Sequence, residues 1–412
     1  MNKKIGNIFK GDKVIWMVFF FLCMISIVEV FSASSNLTYK SQNYMGPIVF
    51  HTVTIILGAV VAVVTLNIPC RYFKLMTPFL LIITVVLLLW VLAAGERTGD
   101  ASRWINIFGL TFQPSEIAKG TIVLATAQIL SAMQRENGAD KKAFKYILCI
   151  VAPIAFLIMV ENLSTAALLC LVVYLMMFIG RVPAFQLIKL AGVVIGLALV
   201  GLLLIMAVGN DNNVAVDKAQ TEQVASAPKE KSKIEKLLHR ADTWKSRIKK
   251  FSNKKEITPD QYDLDKDAQV AHANIAIVSS NIIGKGPGQS VERDFLSQAF
   301  SDFIFAIVIE ELGIVGATAV VFLYIVLLYR TARIASRCEN NFPAFLAMGL
   351  ALLLVIQASF NMLVAVGIAP VTGQPLPLIS KGGTSTIINC AYIGVILSFS
   401  RSAKKRELKI AE

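Results

Sequence analysis

IIGKGPGQSVERDFLSQAFSDFIFAIVIEELG, Ile282 to Gly313, is the stretch whose reading decides the fold. It opens as a Gly-rich loop, passes through a polar connector to Ser301 and Asp302, and runs directly into residues apolar enough to enter a bilayer. An acid is thereby placed at a water-lipid boundary. Ser301 is a good N-cap residue, and Asp302 is expected in the first helical turn, where the helix dipole favours a carboxylate by about 0.3–1 kcal/mol. On local pattern alone, Asp302 is either a helix starter or a placed reactive acid. Glu310 and Glu311 lie about two turns further on, roughly 12 to 14 Å along the axis. That is too deep to share a proton with Asp302, and both are expected to be hydrogen-bonded in helix packing. The loop GKGPG lacks the preceding strand and the following Lys-Ser/Thr of a nucleotide P-loop, which argues against ATP binding.

Outward from this stretch the chain is mostly apolar. Its 412 residues are 56% hydrophobic and 16% charged, with a mean hydropathy of +0.65. Apolar residues in such long blocks exclude a soluble globular chain and predict an all-α polytopic membrane protein. Runs long enough to span are expected at about 14–33, 47–66, 75–95, 115–133, 145–161, 163–180, 185–208, 303–329, 343–368 and 385–400, ten in all, with Glu161-Asn162 as the hinge between the fifth and sixth. The first run, Val14 to Val30, reads as a span that is its own export signal rather than as a cleaved leader.

Lys and Arg concentrate before the first span, after the second, fourth, sixth and eighth, and in the basic tail 401–412. Both termini are therefore expected to be cytoplasmic. The large loop between the seventh and eighth spans, residues 209–300, is then extracytoplasmic. Within it, 210–230 has linker composition, and 231–251 places Ile234, Leu237, Leu238, Trp244, Ile248 and Phe251 near one helical face with Lys and Arg on the other. That pattern suits a helix lying on the outer leaflet, a partner-binding helix or a merely solvated one. The run from Ala268 to Ile283 is apolar but short, and is expected to pack on the bundle and aim the Gly-rich loop.

The net charge of +13 comes without an interleaved basic-aromatic surface, so anionic lipid and pyrophosphate are better partners than nucleic acid. The six cysteines fall in spans or short basic loops and indicate neither a disulfide frame nor a metal cluster. His51, His239 and His272 have no metal-site spacing and read as structural. Charged groups at membrane depth are functional candidates by default. They are Glu29, Glu116, Lys119, Glu161, Asp302, Glu310 and Glu311. Arg103, Trp104, Gln113, Glu116 and Lys119 cluster in a short loop and helix start. Two cations beside an interfacial Trp make a seat for a lipid pyrophosphate, because Arg binds phosphate oxygens bidentately and Lys as a point charge. An Arg103-Glu116 structural pair is the competing reading. With one well-placed acid, single general-base catalysis is the economical mechanism.

Three ordered blocks carry a family resemblance. The GxGxGxS loop followed by DFIFA and EELG resembles the SEDS family, the polytopic membrane proteins of shape, elongation, division and sporulation. NMLVAVGIAPVTGQPLPLISKGGTS, Asn361 to Ser385, is similar to its C-terminal signature, with Asn361, Pro370, Gly373, Leu376, Pro377, Ser380, Gly382 and Gly383 in register. RWINIFGLTFQPSEIAK, Arg103 to Lys119, resembles the loop after its third helix. The chain is identified as a member of that family, of its FtsW-like division branch.

The resemblance implies a single membrane domain and a bacterial inner-membrane enzyme of the division septum that polymerises lipid II, acting with a class B penicillin-binding protein (a transpeptidase) and other division proteins. Asp302 matches the family's catalytic acid and would deprotonate the acceptor 4-hydroxyl, with undecaprenyl pyrophosphate leaving. The pyrophosphate would be met by Arg103, Lys119 or a divalent cation such as Mg2+, and no other cofactor is implied. Substrate contacts are expected from Arg103, Trp104, Gln113, Glu116, Lys119, Gly284, Gly286, Gly288, Ser290, Ser380, Lys381, Gly382 and Gly383. The chain departs from the family pattern at SQAFSDFIF, which lacks the usual Glu and His, at Lys381 in place of Tyr, and at Thr372, where many division-type members have Lys. A lipid II flippase and a non-catalytic division scaffold are the competing functions, and the absence of clear inverted repeats weakens the first.

Overall fold

The computed structural model describes residues 10–33, 46–98, 101–107, 110–136, 138–208, 268–296 and 299–411. The linker and basic segment expected at 210–251 lie outside them. Eleven α-helices occur among the described residues: α1 Lys13–Ala33, α2 Gly46–Asn67, α3 Cys70–Ala94, α4 Pro114–Ala132, α5 Lys141–Glu161, α6 Leu163–Ile179, α7 Ala184–Val208, α8 Ala268–Ser279, α9 Ile304–Ser336, α10 Asn341–Ala365 and α11 Thr384–Ala411.

Each of the ten expected spans coincides with one of these helices, α8 being the extra one. Seven are long and apolar enough to cross a membrane: α1, α2, α3, α5, α7, α9 and α10. α6 has 17 residues, α4 carries Glu116 and Lys119, and α11 runs on into the basic tail. The protein is a multi-pass membrane protein. Its large apolar side chains point outward on the spans, as with Phe79 at 62% and Ile82 at 64% exposure, the arrangement expected where lipid is the solvent.

The chain divides into two compact units, one of Met1–Pro183, Leu264–Ile368 and Thr372–Glu412, the other of Ala184–Asp263 and Ala369–Val371. The first contains the candidate site. In it α11 packs along α2, α9 lies against α1 and α10, and α10 is flanked by α4 and α6. Of the seven long apolar helices α10 is the most buried.

Local sequence explains the element ends. Pro114 occupies the first turn of α4, where a missing N–H costs nothing. Asn162 is the hinge expected between α5 and α6: it closes the first helix, and its side chain caps the second by accepting from Thr165 N at 3.2 Å. Asp12 caps α1, accepting from Val14 N at 2.9 Å and Ile15 N at 3.2 Å. Its other oxygen accepts from Arg330 Nε of α9 at 2.9 Å, and its own N–H donates to Ser400 Oγ of α11 at 2.8 Å.

Two features depart from expectation. The segment between α3 and α4, read as a plain loop, contains three short antiparallel strands: β1 Glu96–Thr98, β2 Ala101–Ile107 and β3 Leu110–Phe112. A further pair, β4 Gln134–Arg135 and β5 Gly138–Ala139, turns between α4 and α5. Second, α9 is not one rod. It breaks at Gly313 (φ 69°, ψ −170°), giving a short upper half that begins just after Asp302 and a long lower half.

Candidate functional site

The break in α9 is completed from outside the helix. In a continuous helix the carbonyls of Glu310 and Glu311 would accept from the amides of residues 314 and 315. Here they accept from Lys285 N at 3.0 Å and Gly286 N at 2.8 Å, while Val315 N turns to the carbonyl of Ile282 at 3.3 Å. The Gly-rich loop therefore crosses the break and takes over its hydrogen bonds. Gly284 (φ +84°) and Gly313 meet back to back there, and a Cβ on either would overlap the other's backbone.

The same loop surrounds the two acids. Glu310, fully buried, accepts from Lys285 Nζ at 2.6 Å, from Val291 N at 3.1 Å and from Ser290 Oγ. Glu311, also fully buried, accepts from Gly288 N at 3.0 Å, Ser290 N at 3.2 Å and the hydroxyl of Ser32 on α1. Arg293 closes the cluster, donating at 2.8 Å to both Ser32 Oγ and the Gly288 carbonyl, 3.9 Å from Glu311. The expected hydrogen-bonded packing of Glu310 and Glu311 is what the structure contains. Gly284, Gly286, Gly288 and Ser290, expected to contact substrate, use their backbone and hydroxyl groups on this clip. Glu29, on the same face of α1 as Ser32, is buried, and neither of its oxygens has a hydrogen-bond partner among the described residues.

Asp302 stands above the break. The expectation that Ser301 caps the helix and Asp302 sits in its first turn is corrected: α9 starts at Ile304, its N-cap position is Phe303, and its first turn holds no acid. The physical reason is that residues 300–302 are bonded sideways to the C-terminal block instead of being wound. The carbonyl of Phe300 accepts from Lys381 N at 2.9 Å, that of Ser301 from Ser380 Oγ at 2.6 Å, and that of Asp302 from Asn361 Nδ2 at 2.8 Å. Ser301 Oγ then donates to Asp302 Oδ1 at 3.0 Å. Three successive carbonyls held by three donors leave the aspartate little backbone freedom, while its side chain remains only partly buried.

The C-terminal block is itself tightly held. Asn361 Nδ2 also donates to the Gln374 carbonyl at 2.8 Å, and Gln374 Nε2 donates to Thr165 Oγ1 at 2.8 Å. Gln357, one turn before Asn361 on α10, donates to the Pro375 carbonyl at 3.1 Å. Ser26 of α1 donates to the Ile379 carbonyl at 2.7 Å, which makes His51 Nε2 the donor to Ser26 Oγ at 2.8 Å. Lys381 places its ammonium 5.1 Å from the centre of the Phe300 ring, a cation-π contact, and burial pushes its pKa down. Gly382 and Gly383 lead into α11, their carbonyls accepting from Ser385 N and Thr386 N.

The third block is partly described. Lys119 is fully buried. Its Nζ lies 2.9 Å from Glu116 Oε1 and donates to Gln357 Oε1 at 2.7 Å. Glu116 is therefore paired with Lys119. Its second oxygen is buried without a partner among the described residues, and its carbonyl accepts from Tyr392 OH at 2.7 Å. Gln113 is the N-cap residue of α4 and lines a small cleft with Pro114, Ser115, Glu161 and Asn162. Trp104 pairs with Glu96 across β1 and β2 and is half-buried. Arg103 lies on β2, and its side chain is outside the described residues.

The three sequence blocks thus converge on α10, through Gln357 to Lys119 and through Asn361 to Asp302. Gln357 and Gln374 were not among the expected site residues. The available signal was a pair of amides four residues apart, Gln357 and Asn361, in an otherwise apolar helix, which puts both on one face. Among the described residues no three of His, Cys, Asp and Glu come together as metal ligands, so no step is assigned here to a divalent ion.

Comparison with known proteins follows the same outline. The family model described as cell cycle protein, which covers FtsW, RodA and SpoVE, matches residues 12–405. The probable peptidoglycan glycosyltransferase FtsW of Halomonas elongata is 30% identical over 397 residues, covering 94% of this chain and 90% of its own. The peptidoglycan glycosyltransferase MrdB of Escherichia coli is 28% identical over 395 residues, covering 95% and 94%. Among solved structures, a chain from a study of how a peptidoglycan synthase complex coordinates polymerization and crosslinking shares the fold with a TM-score of 0.67 at 22% identity, covering 95% of this chain and 98% of that one. The rod shape determining protein RodA of Thermus thermophilus does so with a TM-score of 0.62 at 21% identity, covering 96% and 98%. With its three blocks joined on α10 and the family pattern running almost from end to end, the chain belongs to the cell cycle protein family of FtsW, RodA and SpoVE.

Proposed function

We propose that this protein is a peptidoglycan glycosyltransferase that polymerises lipid II into glycan strands, serving division. The observation that carries the reading is the turn at residues 300–302, whose three carbonyls are bonded to the C-terminal block so that Asp302 is held at the head of a membrane helix. A part-exposed carboxylate on a fixed backbone is suited to take a proton in a defined direction. The names borne by the relatives support the same chemistry. Asp302 removes the proton of the acceptor's sugar 4-hydroxyl, that oxygen forms a bond to the anomeric carbon of the growing chain, and the bond from that carbon to undecaprenyl pyrophosphate breaks.

Positive charge near the leaving group is assigned to Arg103, Lys119 and Lys381. Lys119 is already balanced by Glu116, whereas the Lys381 ammonium rests against the face of Phe300, 5.1 Å from its centre. The enzyme works in the inner membrane at the septum with both termini cytoplasmic, beside a class B penicillin-binding protein that crosslinks the product.

Glycan-strand synthesis by purified protein in detergent, normalised to folded protein, tests the assignment. Asp302→Asn keeps the shape and removes the base, so polymer formation falls by about 10²-fold or more while lipid II binding survives. A variant that polymerises at the wild-type rate refutes the role of Asp302. A wild-type protein that binds lipid II without extending it refutes the enzyme.

A further inference from the structure

We propose that α8 and the turn after it, residues 268–283, are seated in bilayer hydrocarbon as a ledge that does not span, continuous with the lipid-facing side of α9. Four observations carry this. First, α8 is inside out. Its inward residues are Ala271, Ala273 and Ala276, all fully or nearly buried, while Ile275 and Val278 point outward, Val278 at 84% exposure. A helix resting in water puts its large apolar residues inward, whereas the spans of this protein put them outward.

Second, the outward apolar surface resumes beyond the exposed Ser279 and Asn281. Ile282 and Ile283 follow α8 at 70% and 81% exposure. The hydrogen bond from Val315 N to the Ile282 carbonyl brings them beside Ile314 and Val315 of α9, exposed at 58% and 61%. Those two belong to a helix that crosses the membrane, so the patch is an extension of an existing lipid-facing side.

Third, the two serine hydroxyls of the turn are closed onto the backbone. Ser279 Oγ and Ser280 Oγ donate back to the carbonyls of Ala276 and Ile277, which covers carbonyls at the end of α8 that water would otherwise serve. Fourth, there is no Asp, Glu, Lys or Arg from Ala268 to Gly284, and His272 is turned to Glu292 at 2.6 Å. The first charge, Lys285, reaches back to Ser279 Oγ at 2.9 Å and Glu310 at 2.6 Å. Twelve helical residues are too few to cross a hydrocarbon core that takes about 20, so the element enters and leaves on the same side as Asp302. This inference rests on membrane insertion and the described surface, not on the proposed reaction.

The test is spin labelling of the full-length protein in lipid nanodiscs, with the six native cysteines replaced and single cysteines placed at Val278 and Ile283. Phe322 on α9 serves as the lipid-facing reference and Lys142, exposed at the start of α5, as the water-facing one. The labels at 278 and 283 should show an oxygen-to-nickel accessibility ratio matching that at 322 and well above that at 142. A ratio matching 142 places the ledge in water and overturns the proposal. Shielding from both reagents marks a protein neighbour, either the rest of the insert or a second copy, and overturns it as well. Should the cysteine-free chain not fold, a benzoylphenylalanine at the same two positions in the native chain gives the same decision: crosslinks to acyl chains support the ledge, and crosslinks to protein or none overturn it.

Discussion

Lys119 and Glu116 are the strongest case for reading a single pair of residues physically. Their side chains are 1% and 3% exposed, so each has given up its water and depends on the other. Removing one partner of a buried pair leaves an uncompensated charge, which costs about 3–5 kcal/mol. Lys119→Met should therefore lower the melting temperature of the purified protein sharply, and the double variant Lys119→Met/Glu116→Gln should recover much of that loss. If Lys119→Met melts like the parent, the pair is not held as described. Sequence placed both residues in one cluster and offered Arg103 as a partner for Glu116 only in the competing reading. What decides the partner is α4 itself: positions 116 and 119 are three apart on one face, and Gln357 from α10 fills the remaining side of the ammonium.

Among the elements, the broken α9 was the least legible. Its composition reads as one continuous apolar span, and nothing local to Gly313 shows that the missing hydrogen bonds are supplied by a loop about 30 residues upstream. Sequence did mark the glycines of that loop. It did not show that Gly284 completes the helix break, because that follows only from its approach to Gly313. The consequence is measurable. Gly313→Ala places a side chain at a left-handed φ and against backbone, so stability should fall by about 2 kcal/mol or more. Gly196→Ala in α7, where nothing lies within 4 Å, should be neutral or gain up to about 1 kcal/mol from helix propensity. Thermal unfolding of both in the same detergent gives the comparison, and equal losses would refute the clip. Asn361 and Asp302, by contrast, were both quoted in the sequence blocks, yet their bond spans 59 residues and no periodicity predicts it.

For the whole molecule, apolar run length gave the start of each expected span to within about five residues of a helix start, while α9 and α11 run on well past their expected ends. It could not give the strands at 96–112, which are shorter than any pattern window, nor the added helix α8. The lower half of α9, from the break at Gly313 to Ser336, is by itself about as long as a hydrocarbon core is thick, with Arg330 and its partner Asp12 near its far end and Asp302 beyond the break. The chain's first described residues and Asp302 are thus predicted on opposite faces. The Lys and Arg bias predicts that the basic loops face the cytoplasm, and on that prediction cysteine introduced at Ala227, in a chain with its native cysteines replaced, should react with an impermeant thiol reagent on intact spheroplasts. Labelling only after lysis would reverse the topology. The hydrogen bond from Asp12 to Ser400 joins positions 388 residues apart. A ribosome delivers the start of α1 388 residues before Ser400, so the opening turn of α1 is made long before its partner exists. Biosynthesis must therefore keep α1 waiting in the membrane, and this contact closes only when α11 arrives.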